Sequence, residues 1–480
     1  MHRRAHLTLL LAFALVLAVA PSQPATADHG FGMSFDDPDL YDDDPEDDPA
    51  WPEFIDVRDD DRRTFEVRGF LDSAMQVLIP AYTHRGAGGL RRLDPAPDEI
   101  WYRYYLRLDW WNATSSGKLP GPAGLYGSSA RGCIPSSPTN PGWSARTLFE
   151  ATETDPGTRG RVQLGTYLYH LDQAGTCGDQ IHWEPGLVEQ NRWYCVEGRV
   201  SMNTPGLRDG RVDAWVDGRQ VLAWPGIGFR RPGENVGARH FWFDVYFGGR
   251  VVNPSNLWAS FDQLVVGHEG RLGCVDPFLD DQQSQHQPDL TELHARGVWY
   301  GCGERAACPT KLLTRGEMAA LLTRALRLNP GPDRFVDDTH HFAEGSINAL
   351  ADAGITSGCN PPVNDRFCPD ATITRGEMAV FLTRAFDLAA GEDAFNDDDG
   401  HFAEDAINAV AAAGITRGCD RGGFCPNHSL PREQAATLLR RALGFGLPPT
   451  TLQVVGADER IGTLAPATLD DTDEAAPRIE

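Results

Sequence analysis

Between residues 51 and 274, apolar and polar positions alternate with a period of two along several stretches, and each predicts a half-buried β-strand. In Trp101–Leu108, Arg103, Tyr105 and Arg107 alternate with Tyr102, Tyr104, Leu106 and Leu108. In Trp193–Asn203, Glu197, Arg199, Ser201 and Asn203 alternate with Val196, Val200 and Met202. His240, Trp242, Asp244 and Tyr246 alternate with Phe241, Phe243, Val245 and Phe247. Asp217-Gly218, between Arg211–Val216 and Arg219–Trp224, predicts a hairpin closed by a type I′ turn. Strands with one apolar and one polar, aromatic face predict an all-β sandwich. A concave outer face of that composition suits a polysaccharide groove. Trp110 and Trp111 are expected in the core.

The period changes after residue 277. Three internal repeats open with Phe278-Leu279-Asp280-Asp281, Phe335-Val336-Asp337-Asp338 and Phe395-Asn396-Asp397-Asp398. In each, a Gly lies 19 residues after the Phe (Gly297, Gly354, Gly414) and a Cys lies 24 after it (Cys302, Cys359, Cys419). Cys308-Pro309, Cys368-Pro369 and Cys425-Pro426 follow, and then Thr314-Arg315-Gly316-Glu317, Thr374-Arg375-Gly376-Glu377 and Pro431-Arg432-Glu433. Each repeat reads helix, loop, helix; Met378, Phe381, Leu382 and Ala385 mark the apolar face of a second helix. Thr314 with Glu317, and Thr374 with Glu377, fit capping boxes, and the Asp pairs fit caps or turns.

The first 27 residues have a basic start (Arg3, Arg4), an apolar run from Leu7 to Ala20 and a small-residue site at Ala25-Thr26-Ala27. They predict an export signal cleaved before Asp28. The run is too short for a membrane span, and no later stretch provides one. Export gives the ten cysteines, all downstream, an oxidising setting in which disulfides form. The expected segments are a signal at 1–27, an acidic disordered spacer at 28–50, a β domain at 51–274, repeats at 278–334, 335–394 and 395–445, and an acidic disordered tail at 446–480.

The chain's 480 residues carry 43 basic and 68 acidic side chains, a net charge of −25. So acidic a chain is not built to neutralise nucleic-acid phosphates. The charge is uneven: 28–50 carries −10, 276–445 carries −10, 446–480 carries −5, and 51–275 only −2. The β domain is therefore free to attract an anionic polymer locally through Lys118, Arg146, Arg103 and Arg107. Lys118 and Lys311 are the only lysines in an arginine-rich chain. Each Lys thus marks a place where Arg, the default cation here, was not used.

The repeats resemble S-layer homology domains, with their F-x-D opening, a helix ending near "GIT-x-G" and "TR-x-E" opening the next. The resemblance implies a helical three-repeat module that attaches non-covalently to cell-wall polysaccharide, with ligands in the grooves between repeats. Arg315, Arg375 and Arg432 match the motif arginine and are the candidate wall-glycan contacts. The third repeat has Pro431 in place of Thr. Cysteine pairs within each repeat depart from the commonest form of the family; they are expected to staple the loops as Cys302–Cys308, Cys359–Cys368 and Cys419–Cys425. A zinc site is the alternative, disfavoured by export and by the lack of a regular second Cys or His pair.

Gly117-Lys118-Leu119-Pro120-Gly121, Gly142-Trp143-Ser144-Ala145-Arg146, Thr166-Tyr167-Leu168-Tyr169-His170 and Phe247-Gly248-Gly249, in this order, resemble polysaccharide lyase family 14. So do the stretch from Trp193 to Gly206 and the hairpin from Asp209 to Gly218. The resemblance covers roughly residues 100–265 and implies a β-jelly roll acting on alginate or another polyuronate. Its active-site positions fall on Lys118, Ser144, Arg146, Tyr167 and Tyr169. A lyase must remove the C5 proton of a uronate, stabilise the enolate-like state and expel the C4 oxygen. Lys118 is read as base or charge neutraliser, Tyr167 or Tyr169 as acid or base, and Arg146 with Ser144 as carboxylate binders. Ser144 and Arg146, two apart, share a strand face, as do Tyr167 and Tyr169. Arg103, Arg107, Arg199, Asn203 and His240 are candidate substrate contacts; His170 and His240 are additional candidates for the catalytic set, although lone histidines are more often structural.

Two long loops depart from the family, at 125–142 with Cys133 and at 171–190 with Cys177. A Cys133–Cys177 bond would tie them over one end of the groove and leave Cys195 with Cys274. Only three residues separate Cys274 from Phe278, so the groove is expected to sit at a restricted angle to the repeats. The leading function is a secreted, wall-anchored polyuronate lyase with no required cofactor or metal. The competing classes are a non-catalytic glycan-binding surface protein and a structural envelope protein.

Overall fold

In the computed structural model, the described residues are 63–446 apart from 72, 125–141, 153–159, 174, 176, 249–251, 269 and 420–421, with short strands at 31–33, 454–455 and 461–462. The signal, nearly all of the acidic spacer and tail, and Cys133 lie outside the described residues. Fifteen strands precede the helices: β1 (Phe31–Met33), β2 (Thr64–Arg68), β3 (Ser73–Ile79), β4 (Arg85–Arg92), β5 (Glu99–Asp109), β6 (Gly117–Lys118), β7 (Gly121–Ala123), β8 (Ser144–Ala151), β9 (Arg161–Tyr169), β10 (Asp179–Glu189), β11 (Tyr194–Ser201), β12 (Gly210–Val216), β13 (Arg219–Ile227), β14 (His240–Phe247) and β15 (Leu257–Gly267).

They form two antiparallel sheets in a jelly-roll-like sandwich. One runs β13-β12-β11-β5-β15-β3-β2, with β1 on β15; the other runs β10-β9-β8-β6-β14-β4, with β7 bridging β8 and β14. The period-two pattern sets the core. Tyr104, Leu106, Val196 and Val200 of the first sheet meet Phe241, Phe243, Val245 and Phe247 of the second, all at most 1% exposed. Each such side chain contributes roughly 1.5–3 kcal/mol by leaving water. Asp217 (φ 48°) and Gly218 (φ 80°) take the two left-handed positions of the β12–β13 turn. Trp111 is buried in the core, whereas Trp110 is 68% exposed, because its left-handed φ of 49° turns it out at the end of β5.

Six helices follow: α1 (Gln287–Ala295), α2 (Arg315–Leu326), α3 (Glu344–Asp352), α4 (Arg375–Ala385), α5 (Glu404–Ala412) and α6 (Arg432–Ala442). They pack as α1 on α6, α2 on α3 and α4 on α5. Extended segments before α2, α4 and α6 close a ring of three hydrogen bonds, from Leu313 N–H to Leu430 C=O, Ile373 N–H to Leu313 C=O and Leu430 N–H to Ile373 C=O, each 2.9 Å. Thr314 and Thr374 cap α2 and α4 in full capping boxes with Glu317 and Glu377; Pro431 offers α6 no side-chain cap. Disulfides join Cys302 to Cys308, Cys359 to Cys368, Cys419 to Cys425 and Cys195 to Cys274. Cys177 is also disulfide-bonded. No helix among the described residues is long and apolar enough to cross a membrane.

The first sheet's outer face is covered. Phe70, Tyr105, Trp193, Cys195, Cys274, Val275 and Ala295 form a separate apolar cluster there. Ala295 is the last residue of α1, and its carbonyl accepts from Trp193 N–H at 2.8 Å.

Candidate active site

The register of the second sheet assembles the candidate site on its outer face. Ser144 pairs with Tyr169 and Arg146 with Tyr167 across β8 and β9, so the two tyrosines stand beside the serine and the arginine. Lys118 pairs with Leu148 on one side and with Tyr246 on the other. It therefore stands on the same face, between β8 and β14. Leu148, Tyr167 and Tyr169 form an apolar cluster distinct from the core behind the sheet.

The glycines around Lys118 are set by close backbone approach. A Cβ on Gly117 would lie 2.2 Å from the Phe149 ring, and one on Gly121 would lie 2.2 Å from the Ala145 carbonyl oxygen. Only glycine lets β6 and β7 wedge between β8 and β14. Between the two strands, the Leu119 carbonyl turns towards β8 and accepts from Arg146 Nε at 3.2 Å.

Arg146 is 3% exposed, with all three guanidinium nitrogens engaged. Besides the Leu119 bond, Nη1 pairs with Asp244 Oδ2 at 3.1 Å and Nη2 donates to the Asp244 carbonyl. Its guanidinium lies 4.4 Å from the Trp242 ring centroid. Each guanidinium nitrogen therefore has a partner inside the protein, which fixes Arg146 as a buried cation.

Lys118 Nζ lies 4.0 Å from the Tyr167 ring centroid and 5.3 Å from that of Tyr169. Burial and then the Arg146 charge draw its ammonium down to about 7, and Asp244 partly opposes them. A substantial share of the amine is thus unprotonated near neutral pH. Tyr167 moves the other way: burial, and next its neighbour Tyr169, hold its phenol above the ordinary value. Tyr167 also hydrogen-bonds with Tyr169 and Gln180. The face thus places a neutral amine and a protonated phenol side by side over a buried cation. That set can take one proton and deliver another.

His240 lies on the same face, across from Ala123, and burial pulls its imidazole below the ordinary value. His170 is buried just past the end of β9, with Nε2 2.8 Å from Asp179 Oδ2 and its ring edge-on to Trp224. The remaining substrate-contact candidates are not brought here. Arg103, Arg107 and Arg199 project from the outer face of the other sheet. There Arg103 donates to Gly273 C=O at 3.0 Å, Arg107 pairs with Asp109 at 2.9 Å and Arg199 pairs with Asp213. Asn203, fully buried, bonds Thr204, Leu207, Phe229 and Arg230 main-chain groups and holds a loop. Asp244, Trp242 and Gln180 are functional neighbours that the sequence reading did not select, although the His240–Phe247 alternation already put Trp242 and Asp244 on the polar face.

The motif arginines of the helical part each reach into the next unit. Arg315 donates to Phe367 C=O and pairs with Glu377 at 2.7 Å, and Arg432 donates to Ala307 C=O and pairs with Glu317 at 3.0 Å. Arg375 donates to Phe424 and Gly418 carbonyls, but its side-chain partner is the neutral Gln434 at 3.3 Å. A groove of about 400 Å³ is lined by Arg315, Thr356, Glu377, Phe381, Arg384 and Phe402.

Residues 96–264 match the family model of polysaccharide lyase 14, and residues 334–379 and 394–436 match that of the S-layer homology domain. An endoglucanase of Bacillus sp. (strain KSM-635) is 28% identical over 178 residues, which is 35% of this chain and 19% of that protein. The chain spans about a fifth of the length of the first curated relatives it matches. Among solved structures, an alginate lyase is 20% identical, with a TM-score of 0.41 over 50% of this chain and 97% of that one. The marine PL-14 alginate lyase from Aplysia kurodai is 18% identical, with a TM-score of 0.39 over 50% and 98%.

Proposed function

We propose that the chain is a cell-surface polysaccharide lyase that cleaves a 4-O-linked uronate polymer, of alginate or polyglucuronate type, by β-elimination. The observation that carries this reading is Lys118: an amine brought to about 7, 4.0 Å from the Tyr167 ring, inside the segment that matches the lyase family. In the proposed reaction the unprotonated Lys118 amine takes the C5 proton. The electrons released form the C4=C5 double bond, and the C4–O bond breaks. Tyr167, kept protonated by burial, donates its phenolic proton to the departing oxygen. Negative charge gathers at the substrate carboxylate as the proton leaves. The fixed charge of Arg146 and the newly formed Lys118 ammonium stabilise it.

The helical part is the proposed wall anchor. The segment 278–334 has the same anchors and helix order as the two segments that match the S-layer homology model, and it is read as a third repeat. Because Arg375 faces Gln434 rather than a glutamate, it is the motif arginine best placed to meet an acidic wall glycan. Arg375→Ala is expected to reduce pelleting with purified walls more than Arg315→Ala does. Equal retention of both variants contradicts that ranking.

Incubation with alginate, polyglucuronate and related glycans tests the lyase, read by the ultraviolet absorbance of the unsaturated product. Lys118→Arg, which keeps the charge but not a titratable amine, is expected to lower turnover by about 10²–10⁴-fold. Binding without product on any polyuronate would make this a glycan-binding module instead.

A further inference from the structure

Each sequence repeat opens with two consecutive aspartates, and the structure gives the two different surroundings. The first is satisfied. Asp280 accepts from Ala307 and Cys308 N–H, Asp337 from Phe367 and Cys368 N–H, and Asp397 from Phe424 and Cys425 N–H, all between 2.7 and 2.9 Å. The second is sealed away. Asp281, Asp338 and Asp398 are 0%, 0% and 1% exposed, and neither carboxylate oxygen of any of them has a hydrogen-bond partner beyond a short contact with the residue's own backbone N–H.

An ionised carboxylate with so little water and no donor but its own backbone N–H is costly, which favours binding a proton or a cation at each of the three. The third repeat differs from the others in what surrounds it. Asp393 and Asp399, both exposed, bring carboxylate oxygens within 4.8 Å of one another and of Asp398. The positions equivalent to Asp399 are Gln282 in the first repeat and Thr339 in the second. Among the described residues, no Lys, Arg or His forms an ion pair with Asp393, Asp398 or Asp399. Protonating Asp398 alone would leave two charged carboxylates in close contact, whereas one divalent cation would satisfy all three.

We propose that the loop 393–399 binds one calcium-type divalent cation, with Asp398 as the sunken ligand and Asp393 and Asp399 as the outer ones. Oxygen donors on an irregular loop, with water free to complete the shell, match the hard, flexible coordination of Ca²⁺. A softer metal is not served here, because the nearby sulfurs of Cys419 and Cys425 are tied in a disulfide. The ion would sit just ahead of α5, where the Asp398 carbonyl accepts from His401 N–H at 2.8 Å and Glu404 accepts from Gly400 N–H at 2.7 Å.

Calorimetric titration of the full chain, stripped with a chelator and kept in excess magnesium, tests the site. One saturable calcium site is expected, with Kd about 10⁻⁴–10⁻³ M as in extracellular modules, together with a higher Tm in calcium. Asp399→Asn, on an exposed side chain, is expected to weaken binding about tenfold or more, and Asp398→Asn to abolish it. Asp338→Asn, the matching change in the second repeat, should leave stoichiometry and affinity unchanged. Absence of saturable calcium binding by the unaltered chain overturns the proposal. So does binding that survives Asp399→Asn, which would place the ion elsewhere, for instance on the acidic segment 28–50.

Discussion

Lys118 stands between opposed influences. Burial and Arg146 push its proton off, and Asp244, the partner that holds Arg146, draws it back. If Lys118 is the base, kcat/KM should climb about tenfold per pH unit up to about 7 and then level, because only the unprotonated amine reacts. The sign of an Asp244→Asn effect follows. Removing the one named charge that raises the Lys118 value lets it fall further, so the acidic limb of the profile moves to lower pH. A purely structural role for Asp244 would lower the rate without displacing the limb. This coupling was only half legible in the sequence. Period-two spacing was enough to put Ser144 beside Arg146 and Tyr167 beside Tyr169 on shared faces. That the Arg146 guanidinium is held by Asp244, 98 residues away, depends on how β8 and β14 meet around β6 and β7, and no local pattern encodes that.

Two short strands set this geometry. β6 and β7 together hold five residues, yet they fill the gap between β8 and β14 and carry Lys118 into it. Gly121→Ala would put its Cβ 2.2 Å from the Ala145 carbonyl oxygen and 2.7 Å from Arg146 Cα, both backbone atoms that cannot swing aside. β7 must then lift from β8, taking with it the Leu119 carbonyl that steadies Arg146. A displacement near 1 Å at a reacting group costs about 10²-fold in rate. Gly121→Ala is therefore expected to lose about that much kcat while the circular dichroism of the sandwich is retained; near-normal kcat would show that the wedge does not position Lys118. The longer elements were easier to read. The hairpin turn at Asp217-Gly218 and the capping boxes at Thr314 and Thr374 are local chemistry, written in two to four consecutive residues. The placement of Arg103, Arg107 and Arg199 was not legible, since alternation shows that they share a polar face but not which sheet, or which cover, that face meets.

At the scale of the whole molecule that cover is the segment 271–276: Arg103 donates to Gly273 C=O, Tyr105 to Val275 C=O, and Cys274 is bonded to Cys195. α1 packs beside that segment against Phe70, Arg192 and Trp193, and the candidate site lies on the outer face of the second sheet, on the far side of the sandwich core. Charged groups hold the docking. Arg192, 5% exposed, reaches from the sandwich to Glu292 of α1 at 2.7 Å and to Asp217 at 2.7 Å, and Arg296 ties Glu292 and Glu189 together. Arg68 lies 3.5 Å over the Tyr300 ring, and Phe70 stacks on Tyr105 while meeting the edge of His294. Removing one partner of such a buried pair leaves the other charge stranded, at a cost of about 3–5 kcal/mol. Glu292→Ala leaves Arg192 with Asp217 as its one carboxylate partner, a smaller loss than full stranding, and withdraws α1's main ionic hold. The unaltered protein is expected to melt in one calorimetric transition, because neither part can unfold without exposing that interface. In Glu292→Ala the transition should divide in two, with the helical part melting first. Two independent transitions already in the unaltered chain, unmoved by the substitution, would show that the parts are joined by the chain and not by this interface.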